Sequence, residues 1–274
     1  MLFFPNCKIN LGLHILGKRE DGFHNLETVF YPLSLCDALE IIHVPSPATQ
    51  IQFTNSGLVA EQNVDDNICI KAYQLLKKDF EQLPAIKMHL HKIIPIGAGL
   101  GGGSADAAFT LKLLNDKFQL NLSAQQLSDY ALQLGSDCPF FIINKPCLAT
   151  SRGEVLEEIA IDLSGYHLVL INPGIHINTG WAFSQLKNYS TNVSLKKIIS
   201  NPIQTWKETL QNDFEEIVFE QHAEIEIIKN GLYEQGAIYS AMSGSGSSVF
   251  GLYKKIPLFT KEFPTNYFVT ILSL

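Results

Sequence analysis

A run of glycines directly before a helix-like segment is the feature that most restricts how this chain can fold. Five glycines fall within the seven positions from Gly97 to Gly103, and the following segment, SADAAFTLKLLNDKF, has the apolar spacing of a packed helix. Ordinary turns need one or two glycines, and each further one adds an entropic cost when it is ordered. Glycines let backbone N–H groups turn toward one point, and a helix N-terminus attracts negative charge. The loop therefore predicts a binding site for a di- or triphosphate.

The spacing of the loop distinguishes it from two common phosphate-binding motifs. Three of its glycines satisfy G-x-G-x-x-G, but the preceding strand alternates polar and apolar residues, and the acid at the expected distance, Asp116, falls within a predicted helix. A dinucleotide site is therefore disfavoured. A nucleotide P-loop has a lysine where this chain has Gly103 before Ser104. Phosphoryl transfer needs cationic help, so we expect a positive group from another segment.

Composition excludes several classes of protein. With 274 residues and 46% hydrophobic residues, the chain can form a core for one large or two medium domains. A formal net charge of −7, without a run of lysine and arginine, argues against nucleic acid as a partner. No stretch approaches the ~20 apolar residues that cross a bilayer, so no membrane association is expected. The five cysteines have no paired metal spacing, which favours a reduced, cytoplasmic chain without disulfides or structural zinc.

Hydrophobic patterns predict two α+β parts that meet near residue 150. In residues 1–150 they predict strands at INLGLHIL, LETVFYPLSL, ALEIIHV and IKMHLHKII, and helices at ICIKAYQLLKKDF and AQQLSDYALQLG. In residues 151–274 they predict strands at YHLVLINP, AIYSAMSG, SSVFGLY and YFVTILSL, with helical stretches around TGWAFSQL and EEIVFEQHAEIEIIKNGLYEQG. Because no flexible linker separates the parts, they are predicted to share a cleft.

Three motifs, in this order, resemble those of the GHMP small-molecule kinases. They are K-I-N-L at Lys8–Leu11, P-I-G-A-G-L-G-G-G-S-A at Pro95–Ala105 and G-S-G-S-S-V-F-G-L at Gly244–Leu252; D-G-F-H at Asp21–His24 follows the first. The resemblance runs from about Pro5 to Tyr253. It implies an α+β, two-domain kinase: residues 1–150 similar to the second domain of ribosomal protein S5, and residues 151–274 ferredoxin-like. ATP and a small-molecule acceptor would bind in the cleft.

The same resemblance implies roles for individual residues. Lys8 falls on the catalytic lysine and Asp137, in LGSDCPFF, on the catalytic aspartate, and the two are expected to pair. The implied ATP-binding residues are Pro95, Gly97, Gly99, Leu100, Gly101, Gly102, Gly103, Ser104 and Ala105, with Asn67 and Lys92 near the adenine. The implied substrate-binding residues are Asn10, Phe23, His24, Thr179, Gly244 and Gly246. Mg²⁺ is expected to be held mainly by the nucleotide phosphates, without protein ligands.

Two positions depart from the family pattern. Phe23 stands where tyrosine is expected in many relatives, which keeps stacking on a base but removes a phenolic hydrogen bond. Asp106 stands where a small or amide residue is common, and we expect its carboxylate to face solvent or a metal ion.

The residues alone leave alternatives open. Without the other motifs, a lysine that reaches the surface is the preferred interpretation of Lys8, and a turn or capping aspartate that of Asp137. The chain could be another kinase of this family that phosphorylates homoserine, mevalonate or a sugar. It could also be a relative that binds nucleotide without catalysis. A monomer and a homodimer are both compatible with the sequence.

Overall fold

The computed structural model describes residues 1–45, 50–58, 66–190, 194–258 and 263–274. Their contacts divide the chain into two compact units that interleave along the sequence. Unit 1 consists of Met1–Cys7, Leu35–Ile96 and Gly101–Lys145, and unit 2 of Lys8–Ser34, Gly97–Leu100 and Pro146–Leu274. Each unit contains strands and helices, which confirms the predicted α+β class. The division at residue 150 stays a prediction.

The elements of the described residues follow in this order. The first half contains β1 (Leu2–Phe3), β2 (Asn6–Lys18), β3 (His24–Cys36), β4 (Ala38–His43), β5 (Ile51–Gly57), α1 (Ile68–Asp79), β6 (Ile86–Lys92), α2 (Gly102–Phe118), α3 (Ala124–Leu134) and α4 (Cys138–Ile143). The second half contains β7 (Cys147–Ser151), β8 (Val155–Glu158), β9 (His167–Asn172), α5 (Thr179–Ser184), α6 (Leu195–Ile199), α7 (Trp206–Thr209), α8 (Phe214–Gln221), α9 (Ala223–Glu234), β10 (Tyr239–Met242), β11 (Val249–Tyr253) and β12 (Phe268–Ser273).

Unit 1 is built on a four-stranded sheet with the order β1-β4-β6-β5. Strand β4 runs antiparallel to β6, with Leu39 opposite Leu90, and β5 runs parallel to β6. The alternation in IKMHLHK buries Ile86, Met88 and Leu90, as expected for a strand with one apolar face. The sheet therefore fixes where β6 ends, immediately before the glycine loop.

Helix α2 follows the loop and lies deep in unit 1. It begins at Gly102, two residues before the predicted segment, and Ala105, Ala107 and Ala108 are among its buried residues. Small side chains on several faces let neighbouring elements pack closely, and α2 contacts α1, α3 and α4. Helix α3 begins where predicted, because Ser123 and Gln126 form a capping box. The loop thus leads into a helix that is held by surrounding packing.

Unit 2 contains two four-stranded sheets, β2-β3-β7-β8 and β10-β11-β9-β12. The apolar run LVLIN makes β9 a buried strand, antiparallel to both β11 and β12. The helical segment predicted from EEIVFEQHAEIEIIKNGLYEQG forms two helices, α8 and α9, which separate at His222. Both contribute to one hydrophobic core with β9 and β11, which includes Val169, Ile171, Phe214 and Ile225.

Candidate active site

The first part of the glycine loop, Gly97–Leu100, belongs to unit 2 and lies against a second glycine-serine segment. Ser243 Oγ donates a hydrogen bond to the carbonyl oxygen of Gly99 at 2.9 Å, and Ser248 N donates to that of Ala98 at 3.2 Å. Gly99 has a φ of +78°, and a Cβ built there would lie 2.0 Å from the carbonyl oxygen of Ser243. The loop therefore approaches the backbone at Ser243 so closely that only glycine fits.

Replacing Gly99 by Ala is expected to weaken ATP binding at least tenfold and to lower the melting temperature. The left-handed conformation costs a non-glycine residue roughly 1 to 2 kcal/mol, and the contact with Ser243 must open in addition. Calorimetric titration with ATP and a thermal melt measure the two effects. Gly231→Ala is the control, because a Cβ there meets nothing within 4 Å inside α9. Equal ATP affinity in wild type and Gly99→Ala would contradict this role for the loop.

The second part of the loop belongs to unit 1 and forms the start of α2. Gly101, the residue before the helix, has left-handed dihedral angles of 68° and 15° and makes no side-chain capping hydrogen bond. The first N–H groups of α2 are therefore available to an anion, and the helix dipole favours negative charge there. Gly103 is exposed and Ser104 half-buried, whereas Gly102 and Ala105 are buried. This geometry is what a polyphosphate site requires.

Lys8 lies in β2 and is only 3% exposed, so the alternative of a surface lysine is wrong. Its Nζ donates to Asn10 Oδ1 at 2.6 Å and lies 4.6 Å from the centroid of the Phe30 ring. Asn10 shares the face of the strand with Lys8, and its Nδ2 donates to Thr28 Oγ1 at 2.9 Å. Lys8 N also donates to the carbonyl oxygen of Leu100 at 3.0 Å, so β2 runs directly beside the loop.

Asp137 directly precedes α4 in unit 1 and is half-buried. Its side chain makes no capping hydrogen bond to α4, so the capping alternative is wrong, whereas Asp137 does lie in the turn at residues 136–137 that precedes the helix. Asp137 and Lys8 belong to different units, and their pairing stays a prediction.

An aromatic group in unit 2 surrounds one predicted substrate residue. The His24 ring stacks on Phe183 with centroids 4.7 Å apart and an interplanar angle of 17°, and Tyr189 lies 6.2 Å from His24. Burial, with a smaller contribution from Lys18, lowers the pKa of His24, so the imidazole is neutral near pH 7. Sequence reasoning missed Phe183, although it lies four residues after Thr179 in the same motif.

Among the other predicted substrate residues of unit 2, Asn10 is buried in β2, whereas Phe23 and Thr179 are exposed and Gly244 and Gly246 lie in a loop. The hydroxyl groups of Thr179 and Ser245 are 2.9 Å apart, which joins the start of α5 to the loop that contains Gly244 and Gly246. The Phe23 side chain is 53% exposed, and the Arg152 guanidinium lies 4.9 Å from its ring centroid. Substrate contacts of these residues stay predictions.

The two residues predicted near the adenine have structural partners in unit 1. The Asn67 side chain caps α1 by accepting from Cys69 N at 2.9 Å. Lys92 is buried, and its Nζ lies 2.5 Å from Asp37 Oδ2 and 2.7 Å from Asp106 Oδ2. The expectation that Asp106 faces solvent or a metal ion is wrong, because this residue is 2% exposed and paired with Lys92. Nucleotide contacts of Asn67 and Lys92 stay predictions.

Two features bear on metals and membranes. Within the described ranges, no group of three or more His, Cys, Asp or Glu side chains could hold a metal ion. None of the helices in the part of the chain that the structure describes is long and apolar enough to cross a membrane.

Comparisons with known proteins match nearly the whole chain. The model of the GHMP kinases N terminal domain matches residues 67–145, and that of the GHMP kinases C terminal matches residues 194–256. The 4-diphosphocytidyl-2-C-methyl-D-erythritol kinase of Bacteroides fragilis is 52% identical over 261 residues, 95% of each chain. The protein of that name from Azobacteroides pseudotrichonymphae is 50% identical over 272 residues, 98% of this chain and 100% of the relative.

A solved structure also matches. The crystal structure of 4-(cytidine 5'-diphospho)-2C-methyl-D-erythritol kinase has 29% identity and a TM-score of 0.79, and the match covers 92% of this chain and 90% of that one. Fold and relatives together define the class of this protein as an ATP-dependent kinase of small molecules. The chain belongs to the GHMP kinase family, which confirms the resemblance and the architecture predicted from the sequence.

Proposed function

We propose that this chain transfers the γ-phosphoryl group of ATP to the 2-hydroxyl of 4-diphosphocytidyl-2-C-methyl-D-erythritol. The products are the 2-phosphate and ADP, and the reaction belongs to the non-mevalonate (methylerythritol phosphate) route to isoprenoid precursors. The observation that carries the proposal is 52% identity, over 95% of both chains, with a relative named for this substrate. We propose that the enzyme acts in the cytoplasm. It would be a monomer or a homodimer, and its partners would be small molecules alone.

The glycine loop would hold the ATP phosphates. Its backbone N–H groups and the start of α2 supply fixed dipoles, which stabilise negative charge without reorganisation during the reaction. Mg²⁺, held mainly by nucleotide oxygens, would neutralise charge on the phosphates. The contact between Gly99 and Ser243 keeps this part of the loop in one conformation.

Asp137 and Lys8 would carry the chemistry. The Asp137 carboxylate would orient the acceptor hydroxyl and accept its proton as the bond to phosphorus forms. The Lys8 ammonium would keep Asp137 ionised and stabilise the charge that develops on the transferred group. Burial of Lys8 supports this role, because a desolvated ammonium interacts more strongly with a nearby negative charge.

The cytidine part of the acceptor would bind among the aromatic residues of unit 2. A neutral His24 offers one hydrogen-bond donor and one acceptor, a combination that can read the polar edge of a pyrimidine. The rings of Phe23 and Phe183 provide apolar faces on which a base can stack. Asn10, Thr179, Gly244 and Gly246 would complete the acceptor site.

Release of ADP in the presence of 4-diphosphocytidyl-2-C-methyl-D-erythritol tests the proposal. We expect turnover with this acceptor and at least about 100-fold lower kcat/KM with homoserine, mevalonate or galactose, because a site built to hydrogen-bond a group rejects molecules that lack it. Preference for one of those compounds would assign a different kinase of the family. Calorimetric binding of ATP without turnover of any acceptor would favour a non-catalytic relative.

A further inference from the structure

Three charged side chains form a buried cluster beside the glycine loop in unit 1. Lys92, at the end of β6, lies within hydrogen-bond distance of both Asp37 and Asp106, at 2.5 and 2.7 Å. The other oxygen of Asp37, Oδ1, accepts from the backbone N–H groups of Ile93 at 2.6 Å and Ile94 at 2.9 Å. All three charged residues are less than a tenth exposed. The Asp37–Lys92–Asp106 cluster therefore joins three charged side chains to one another and to the backbone at Ile93 and Ile94.

The cluster contacts the chain on both sides of the loop. Asp37 holds the backbone at Ile93 and Ile94, directly before Pro95, and Asp106 lies on the first turns of α2, directly after Ala105. Lys92 joins these two ends. The start of α2 packs on the same place, since a Cβ built on Gly102 would lie 2.9 Å from Ile94 Cγ2 and 3.4 Å from Lys92 Nζ. Positions of both ends of the phosphate loop thus depend on one set of charged groups.

The charges of the cluster do not balance when every group is ionised, because two carboxylates face one ammonium. Burial raises the pKa of Asp106 to about 7, and Asp37 adds to this rise through its negative charge and a hydrogen bond, against the opposing effect of Lys92. Asp106 Oδ1 is buried and accepts no hydrogen bond from the described residues, which also disfavours a full negative charge.

Two thiols lie beside the cluster, and both stay neutral near pH 7. Cys69 on α1 faces Asp106, and burial raises the pKa of its thiol far above the usual range. The pKa of Cys36, beside Asp37, is also raised by burial and by that carboxylate. Burial alone would lower the pKa of Lys92, but Asp106 and Asp37 outweigh it and raise the value, so Lys92 stays charged. Among these shifted groups, Asp106 is the one whose pKa lies near neutral pH.

We propose that the Asp37–Lys92–Asp106 cluster positions the glycine loop for ATP, and that a proton retained on Asp106 keeps the cluster electrically neutral. The inference rests on the proposed function only in taking the loop as the ATP phosphate site. The three residues are positioning residues: they act through the backbone on either side of the loop. Loss of the proton adds a net negative charge beneath the start of α2, where it opposes the phosphates.

The proton also makes stability depend on pH, with a defined sign. Because the pKa of Asp106 is raised in the folded state, the folded chain retains a proton that the unfolded chain releases from about pH 4 upward. This contribution to the free energy of unfolding is complete below pH 4 and is lost as pH rises to about 7. Asp106→Asn cannot lose a proton, so its melting temperature should fall less than that of wild type over this range.

The test compares Asp106→Ala and Asp106→Asn with Asp116→Asn, an exposed position on the same helix. Calorimetry gives the Kd for ATP at pH 6, 7 and 8, and kinetics give the KM values for ATP and for the acceptor. We expect Asp106→Ala to raise the Kd and KM for ATP about tenfold, equivalent to about 1.4 kcal/mol, with the acceptor KM changed less than about twofold. Asp106→Asn, whose amide oxygen can still accept from Lys92, should bind ATP as tightly as wild type, and its Kd should not rise between pH 6 and 8. Wild type and Asp116→Asn should both show that rise in the Kd, to the same extent.

Two outcomes would overturn the inference. A lower melting temperature in Asp106→Ala with an unchanged Kd for ATP would mean that the cluster serves folding alone. An identical pH dependence of the Kd in wild type and Asp106→Asn would contradict the proposal that Asp106 retains a proton. If Asp106→Ala does not fold, the Asn variant still decides. Because the Kd for ATP needs no acceptor, failure of wild type to phosphorylate the proposed acceptor would contradict the proposed function and leave this test intact.

Discussion

Replacing Asp137 by Asn is expected to lower kcat by about 100-fold or more while the Kd for ATP stays nearly unchanged. The amide keeps the size of the carboxylate but cannot accept the proton of the acceptor hydroxyl. Because the side chain does not cap α4, its replacement should leave the start of that helix unaltered. Steady-state ADP release and calorimetric ATP titration measure the two quantities.

A matched control for this variant is Asp129→Asn, at an exposed position on α3. It should keep wild-type kcat and KM, since surface substitutions away from special features change little. Turnover close to wild type in Asp137→Asn would remove Asp137 from the reaction and require another base. A loss of kcat accompanied by a large fall in melting temperature would point to a structural role instead.

Replacing Lys8 by Met is expected to reduce kcat by roughly 100- to 1,000-fold, the usual effect of removing one group that stabilises charge in the transition state. Methionine preserves the apolar stem in its buried place beside the Phe30 ring, so the loss falls mainly on the charge. Asn10 Oδ1 no longer accepts a hydrogen bond from Lys8 Nζ in this variant, which lowers the free energy of unfolding by a smaller amount. Lys87→Met, at an exposed position on β6, is the control.

The double variant of Lys8 and Asp137 distinguishes a pair from two independent groups. If the ammonium keeps the carboxylate ionised, removing both should cost little more than removing either one. Single and double variants are compared by kcat/KM for the acceptor. Fully additive losses would contradict the predicted pairing, whereas each residue could still take part in the reaction.

Much of the local structure followed from patterns within short segments. Alternation in IKMHLHK predicted β6, the segment AQQLSDYALQLG predicted α3, and the glycines before SADAAFTLKLLNDKF predicted the loop and α2. These signals are readable because they depend on side-chain spacing and backbone freedom within a few residues. Strand β5 escaped prediction, because its residues are mostly exposed and its parallel pairing with β6 depends on a distant segment.

The sequence by itself determined the α+β class and the kinase family, and it predicted the polyphosphate loop, since each rests on short motifs whose chemistry is local. Only the tertiary structure decided the partners of those motifs. It placed Gly99 against Ser243, 144 residues away, His24 on Phe183, and Asp106 on Lys92 where solvent or metal was expected. Such contacts depend on how sheets and helices pack, and a buried carboxylate takes whichever cation that packing brings within reach.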